Sequence, residues 1–276
     1  MERKELKKTD VLAKVYVVIV FIAMYLPTIF LIVLSFNSSP NITFPVESWT
    51  SEWYLGELKP YQMNPSYVPI AHDWSFWNAV SNSIKISGIT ALLTCGIVTL
   101  TALTMRYRLV GRDILFYMFL LGFITPGVLV GLGTLLFFRM LGATITEWNM
   151  IAINTVYASS FGFILMMARF DPDLMLYEIT AYALRVGPVR VFRYITLPLI
   201  KWEVLSAGVL GFLLSWGELI RNLWVARGTG VVSTFIFTQL TVYPLTTKWF
   251  AAGTILAAIS IVGLIIMATI LSRGTK

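Results

Sequence analysis

Apolar residues run along this chain in long blocks, not in the short alternations of a water-soluble domain. After a polar and mostly basic opening, MERKELKKTD, one apolar run covers about 11–36, and others cover about 79–104, 114–138, 149–169, 199–220 and 250–271. Each is long enough, at about 1.5 Å per residue, to cross a hydrocarbon core of about 30 Å as a helix. The pattern predicts an all-α polytopic membrane protein with about six transmembrane helices. The first run is too long for the core of a cleaved signal peptide and lacks a small-residue cleavage site, so it is expected to be retained as a helix, kinked at Pro27.

Two connections stand out. Residues 37–77 form the longest polar one, with Pro40, Pro45, Pro60, Pro65 and Pro69 among Trp49, Trp53, Tyr54, Trp74 and Trp77. They fit an exterior loop with an interfacial aromatic belt better than an aromatic ligand cage. Asn37-Ser38-Ser39 and Asn41-Ile42-Thr43 match a glycosylation triplet, a pattern common by chance. The other connection is 171–198, DPDLMLYEITAYALRVGPVRVFRYITLP. Asp171 can cap a helix that opens on Pro172, and Gly187-Pro188 supplies a turn to end it. A second short helix over about 189–195 is then expected, with Leu197-Pro198 opening the next apolar run.

Composition agrees with a membrane protein: 57% of residues are hydrophobic and 13% charged, too little polar surface to cover a globule. The net charge of +7 comes from basic residues gathered at the ends of apolar runs, which read as topology signals and not as a nucleic-acid footprint. Most of them flank span one (Arg3, Lys4, Lys7, Lys8, Lys14), lie between spans two and three (Arg106, Arg108, Arg112) or spans four and five, or end the chain (Arg273, Lys276). By the positive-inside rule both termini and the 171–198 loop are cytoplasmic.

Catalytic chemistry finds little support. One cysteine, Cys95, and one histidine, His72, leave no disulfide and no metal-ligand cluster. Asp171 and Asp173 read as a helix start, not as an acid–base pair. No G-x-x-x-x-G-K-[ST] occurs, so any ATP hydrolysis must belong to another subunit. Gly127-x-x-x-Gly131, with Gly122 and Gly133 nearby, fits close helix packing better than phosphate binding. Charges within or beside spans are costly unless paired or wet, which singles out Lys85 and the SWGELIRN stretch with Glu218, Arg221 and Asn222. Glu218 and Arg221 can form a local salt bridge or face a solute pathway, and Lys85 can snorkel or serve that pathway. No carboxylate lies near the centre of an expected span.

The 171–198 loop resembles the cytoplasmic loop of permease subunits in binding-protein-dependent type I ABC importers. That loop reads E-A-A, three residues, G, about nine residues, then an apolar residue, any residue, L-P. Ala181, Leu184, Pro188, Phe192, Ile195, Leu197 and Pro198 keep its register. Departures are Ile179 at the motif's Glu, with Glu178 one place early, Thr180 at its first Ala, and Arg185 at its Gly. Ser35 to Ser39 with Trp49 and Trp53-Tyr54 is similar to the polyamine and opine branch. The resemblance implies a single transmembrane permease domain over 1–276, half of a translocation pathway, in the cell inner membrane. It implies a second permease subunit, a dimer of ABC ATPase subunits that bind ATP and Mg, an extracytoplasmic binding protein, and no cofactor or nucleic acid on this chain. Glu178, Ala181, Leu184, Arg185, Gly187, Pro188, Arg190 and Arg193 are the implied ATPase-coupling residues. Lys85, Pro126, Gly127, Trp216, Glu218, Arg221 and Asn222 are the implied substrate-pathway residues. Polyamine permeases of this family carry an acidic residue after the span-three proline and an acidic pair in span five. Here these are Gly127 and Gly217-Glu218, so an anionic or zwitterionic solute is expected in place of a polyamine. The alternatives from other classes are a self-sufficient secondary transporter or channel, and a membrane-embedded enzyme.

Overall fold

The structure is a computed structural model that describes residues 2–58, 64–107, 110–168, 173–226 and 230–273, with side chains from residue 13 onward. Asp171, Pro172, Arg108 and Lys276, which carry parts of the helix-start and topology readings, lie outside the described residues. The protein is an all-α polytopic membrane protein, and no strand occurs among the described residues. The helices are α1 (Glu2–Leu34), α2 (Glu52–Leu55), α3 (Trp74–Thr104), α4 (Arg112–Ile124), α5 (Gly127–Met140) and α6 (Glu147–Ala168). They continue as α7 (Leu174–Ala183), α8 (Pro188–Val191), α9 (Leu197–Trp216), α10 (Asn222–Val225), α11 (Val232–Val242) and α12 (Thr247–Arg273). Among the described residues five helices are long and apolar enough to cross a membrane, or six if α4 and α5 together count as one span.

Three expectations need correction. The span over 114–138 is not one helix: α4 and α5 meet at 109°, with Thr125 extended (ψ 127°) and Pro126 capping α5. Proline biases the preceding residue away from the helical region, which is why the break falls there. The turn that ends α7 is not Gly187-Pro188 but Arg185, whose φ of +58° lets its N–H bond the Tyr182 carbonyl and the Val186 N–H bond the Ala181 carbonyl. Gly187 instead sits in extended backbone before α8, with Pro188 at that helix's first turn. Nor is the short helix expected over about 189–195 separate from the next run, because α8 passes through a π-helical turn, Phe192–Thr196, into α9, which does begin at Leu197. There the Leu197 N–H reaches back to the Phe192 carbonyl, and the widened turn accommodates a proline that has no N–H to give.

The chain divides into two compact units. One comprises Met1–Trp74 and Thr238–Ile259. Its loop is organised by Asn37, 1% exposed, whose Nδ2 donates to Thr43 and whose Oδ1 accepts from the Ser39 and Glu47 N–H groups. Trp53 Nε1 donates to the Asn37 carbonyl at 2.7 Å, so this aromatic is structural. The segment entering α12 pins the same loop: Thr246 Oγ1 donates to the Ser66 carbonyl and Thr247 Oγ1 to that of Ser39. Lys248, fully buried, pairs with Asp73 at 2.6 Å and donates to the Pro65 carbonyl.

The other unit comprises Ser75–Phe237 and Ser260–Lys276. Its most extensive helix contact is between α6 and α9. Small residues allow the close approaches: a Cβ at Gly211 would lie 2.9 Å from Thr94 Oγ1, and one at Gly131 would lie 2.6 Å from Trp224 Cδ1 and 3.0 Å from the Arg221 carbonyl. Gly122 is similarly tight against Ser160, whereas Gly133 faces open space, so close packing accounts for three of these positions and not the fourth. Val98, Ala102 and Met105 of the α3 end form a core with Phe163 and Met166 of α6, Leu174 of α7, and Ile200 and Ala207 of α9.

Candidate functional site

The segment joining α6 to α9 combines an anchored face with an apolar exposed one. Leu174, Glu178 and Ala181 recur at helical spacing on α7 and are buried. Glu178 is held by Arg106, whose Nη1 and Nη2 reach its two carboxylate oxygens at 3.0 and 2.6 Å, and by Thr196 Oγ1 at 2.5 Å. Burial opposes ionisation of Glu178, but the hydrogen bonds from Arg106 and Thr196 and the Arg106 charge outweigh it, so its pKa lies below the ordinary carboxylate value. On the other face Leu176, Ile179, Leu184, Val189 and Tyr194 are exposed, Leu184 at 75%. An open groove of about 480 Å³ runs among Tyr177, Ala181, Leu184, Tyr194, Ile195 and Pro198. Arg185, Arg190 and Arg193 of the same segment are exposed. An exposed apolar patch of this kind is a candidate interaction surface.

The second cluster gathers around Arg221. Its Nη2 lies 2.6 Å from Glu218 Oε2, its Nε 3.5 Å from Asn154 Oδ1, and its Cζ 3.6 Å from the centre of the Tyr157 ring. Asn154 also bonds Ser215 and Asn222, and Asn222 Nδ2 donates to the Glu218 carbonyl. Pro126 and Gly127 open α5 directly over this group, since a Cβ at Gly127 would meet Arg221 Cγ at 3.4 Å. Gly127, Glu218, Arg221 and Asn222 are therefore brought together, while Trp216 is buried and stacks on Phe212. Lys85 pairs elsewhere, with Glu147 at 2.7 Å. Both cations behind the anionic-solute expectation thus carry a carboxylate partner. Asn154 and Tyr157 were missed in the sequence because an apolar run gives no sign of which polar residues face inward. Glu203 was missed too: it is 8% exposed in α9, and its Oε2 has no hydrogen-bond partner among the described residues.

These features define a polytopic helical membrane protein with an exposed apolar loop face between two spans and a charge-balanced polar cluster among its helices. Among known proteins, the chain is 27% identical over 256 residues to the putrescine transport system permease protein PotI of Escherichia coli K12, covering 89% of this chain and 85% of that protein. It is 33% identical over 150 residues to a protein of Salmonella typhimurium LT2 named for a 2-aminoethylphosphonate transport system permease, PhnV, covering 52% of this chain and about half (55%) of that one. A crystal structure of an amino acid ABC transporter with histidines superposes with a TM-score of 0.52 at 16% identity, covering 72% of this chain and 91% of that one, a likeness of fold. No protein-family profile matches the chain. The chain is similar to permease subunits of ABC transporters, and it is a multi-pass membrane protein.

Proposed function

We propose that this chain is the membrane-spanning permease subunit of an ATP-driven, binding-protein-dependent importer, forming half of the translocation pathway. The observation that carries this reading is the exposed apolar face of the α7–α8 segment, with Leu184 and Val189 at its tip, on a helix anchored from behind by Arg106 and Thr196. An ATPase subunit is the partner that this face fits. Glu178 and Ala181 act from inside the permease, while Leu184, Arg185, Arg190 and Arg193 meet the partner directly and Gly187-Pro188 sets the turn between the two short helices. The ATPase dimer holds ATP and Mg; this chain binds no cofactor and catalyses no reaction. Both termini and the coupling segment lie in the cytoplasm. A second permease completes the pathway, and an extracytoplasmic binding protein delivers the solute.

For the solute, the Arg221 cluster supports a small zwitterion over a polycation. Glu218 and Arg221 balance each other's charge, so the cluster offers no excess carboxylate, and Gly127 adds none beside them. The two relatives are named for putrescine and for 2-aminoethylphosphonate, which share a primary amine on a short chain. Lys85, Pro126, Trp216 and Asn222 belong to the same pathway in this reading. Uptake competition in cells carrying the whole system tests it: 2-aminoethylphosphonate or a similar zwitterion is expected to inhibit. Inhibition by polyamines alone would overturn the assignment of solute.

A further inference from the structure

Three segments far apart in sequence meet on one carboxylate. Arg106 follows the last turn of α3, Glu178 is on α7, and Thr196 closes the π-helical turn that leads into α9. The guanidinium takes both oxygens of Glu178 in a fork, with side chains 12% and 6% exposed. Fork-to-fork pairing fixes the angle between its carriers as well as their distance, which a single lysine contact does not. Beside it Leu174, 1% exposed, is a peg from α7 into the same core as Met105 of the α3 end and Ile200 of α9. The coupling helix is therefore joined to α3 by a charged clasp and an apolar peg, neither of which runs through the loops before or after α7.

We propose that Arg106 is a positioning residue that makes the α3 end, α7 and the start of α9 one lever, so that a displacement of the coupling helix reaches α3 directly and does not pass through α9 alone. This rests on the importer reading of α7. Further along, α3 reaches the polar cluster through Thr90, 3.5 Å from Ser215, and Ser83 Oγ accepts from the Val232 N–H at 2.8 Å. A clasp at one end of α3 and these contacts along it give the helix the connections that transmission by packed elements needs. The Glu178 carboxylate stands one place before the position at which the resembling motif has its Glu, and its partner is inside the chain.

The test uses the complete transporter isolated from native membranes. The single cysteine is removed by Cys95→Ala, and spin labels are placed at Leu100→Cys on α3 and Tyr182→Cys on α7, both exposed positions. The label-to-label distance is measured without nucleotide and trapped with ATP and vanadate. With Arg106 intact the distance is expected to be the same in both states, and with Arg106→Gln to shift or broaden on trapping. Arg106→Lys, which keeps the charge and loses the fork, is expected to fall between. A distance that changes on trapping with Arg106 intact overturns the proposal, and that arm decides it even if Arg106→Gln does not assemble. So does an Arg106→Gln complex whose distance stays fixed in both states, since a merely stabilising pair would leave it so. A chain recovered with no nucleotide-responsive partner overturns the importer reading itself, a result distinct from failure of the lever.

Discussion

Arg185 occupies the position where the resembling loop has glycine, and the structure gives it φ of +58°. The left-handed region sets Cβ against the following carbonyl and costs an L-residue about 1–2 kcal/mol. The hydrogen bonds that close α7, from Arg185 N–H to Tyr182 and from Val186 N–H to Ala181, hold it there. Replacing Arg185 by Gly removes that strain but enlarges the freedom of the unfolded chain, which offsets about 0.4–1 kcal/mol. The net expected gain is about 0.5–1 kcal/mol, or about 1–4 °C in Tm for a chain of this size. Thermal unfolding of the purified chain in detergent checks it, with Arg185→Ala as the control: alanine loses the exposed charge but keeps the Cβ, so no gain is expected. Equal Tm values for the glycine and alanine variants would refute the reasoning, since the benefit is then not conformational.

Other expectations concern buried pairs and close approaches. Asp73→Ala strands the buried Lys248 ammonium and is expected to cost about 3–5 kcal/mol in thermal or denaturant unfolding, whereas Asp73→Leu combined with Lys248→Met costs much less. Gly131→Ala forces a Cβ against Trp224 and the Arg221 carbonyl and is expected to destabilise by about 1–3 kcal/mol, while Gly133→Ala, in open space, stays within about 0.5 kcal/mol. The folded pKa of Glu178 lies below its unfolded value of about 4.3, so the clasp's contribution is fully present above that value and is lost as pH falls through the folded pKa. Stability measured against pH in the wild type and Glu178→Gln should accordingly differ by a constant amount at pH 6–8, with the difference shrinking as pH falls below the unfolded value through the folded pKa.

What the sequence made legible was mostly local. The long apolar runs announced the helices, since every backbone polar group in a bilayer must be satisfied within the segment. Glu218 and Arg221, three apart, were placed on one helix face; they do pair, but in the non-helical link between α9 and α10. The breaks depended on neighbours. Pro126 could bend one span or separate two helices, and only the packed structure gives 109°. The short helix before Leu197-Pro198 looked separate from the next run because the π-helical turn that joins them has no compositional sign. The pairs Lys85–Glu147, Arg106–Glu178 and Lys248–Asp73 join residues that are 62 to 175 positions apart, beyond any periodicity argument. Arg106 accordingly read as a topology charge, and nothing in the sequence singled out Lys248. The short apolar α11 also went unread, having the length of neither a span nor a recognisable motif.

The central claim is that the exposed face of the 173–198 segment receives an ATPase, and a pull-down of the tagged chain from detergent-solubilised native membranes tests it most directly. Leu184 and Val189 are the residues to replace by Lys, because both side chains are exposed. The account predicts recovery of an ATPase with a second permease, ATP hydrolysis in the eluate, and loss of the ATPase but not of the permease partner in the Leu184→Lys, Val189→Lys variant. A stable chain that comes down alone, with no ATPase activity, would contradict it and favour a self-sufficient transporter.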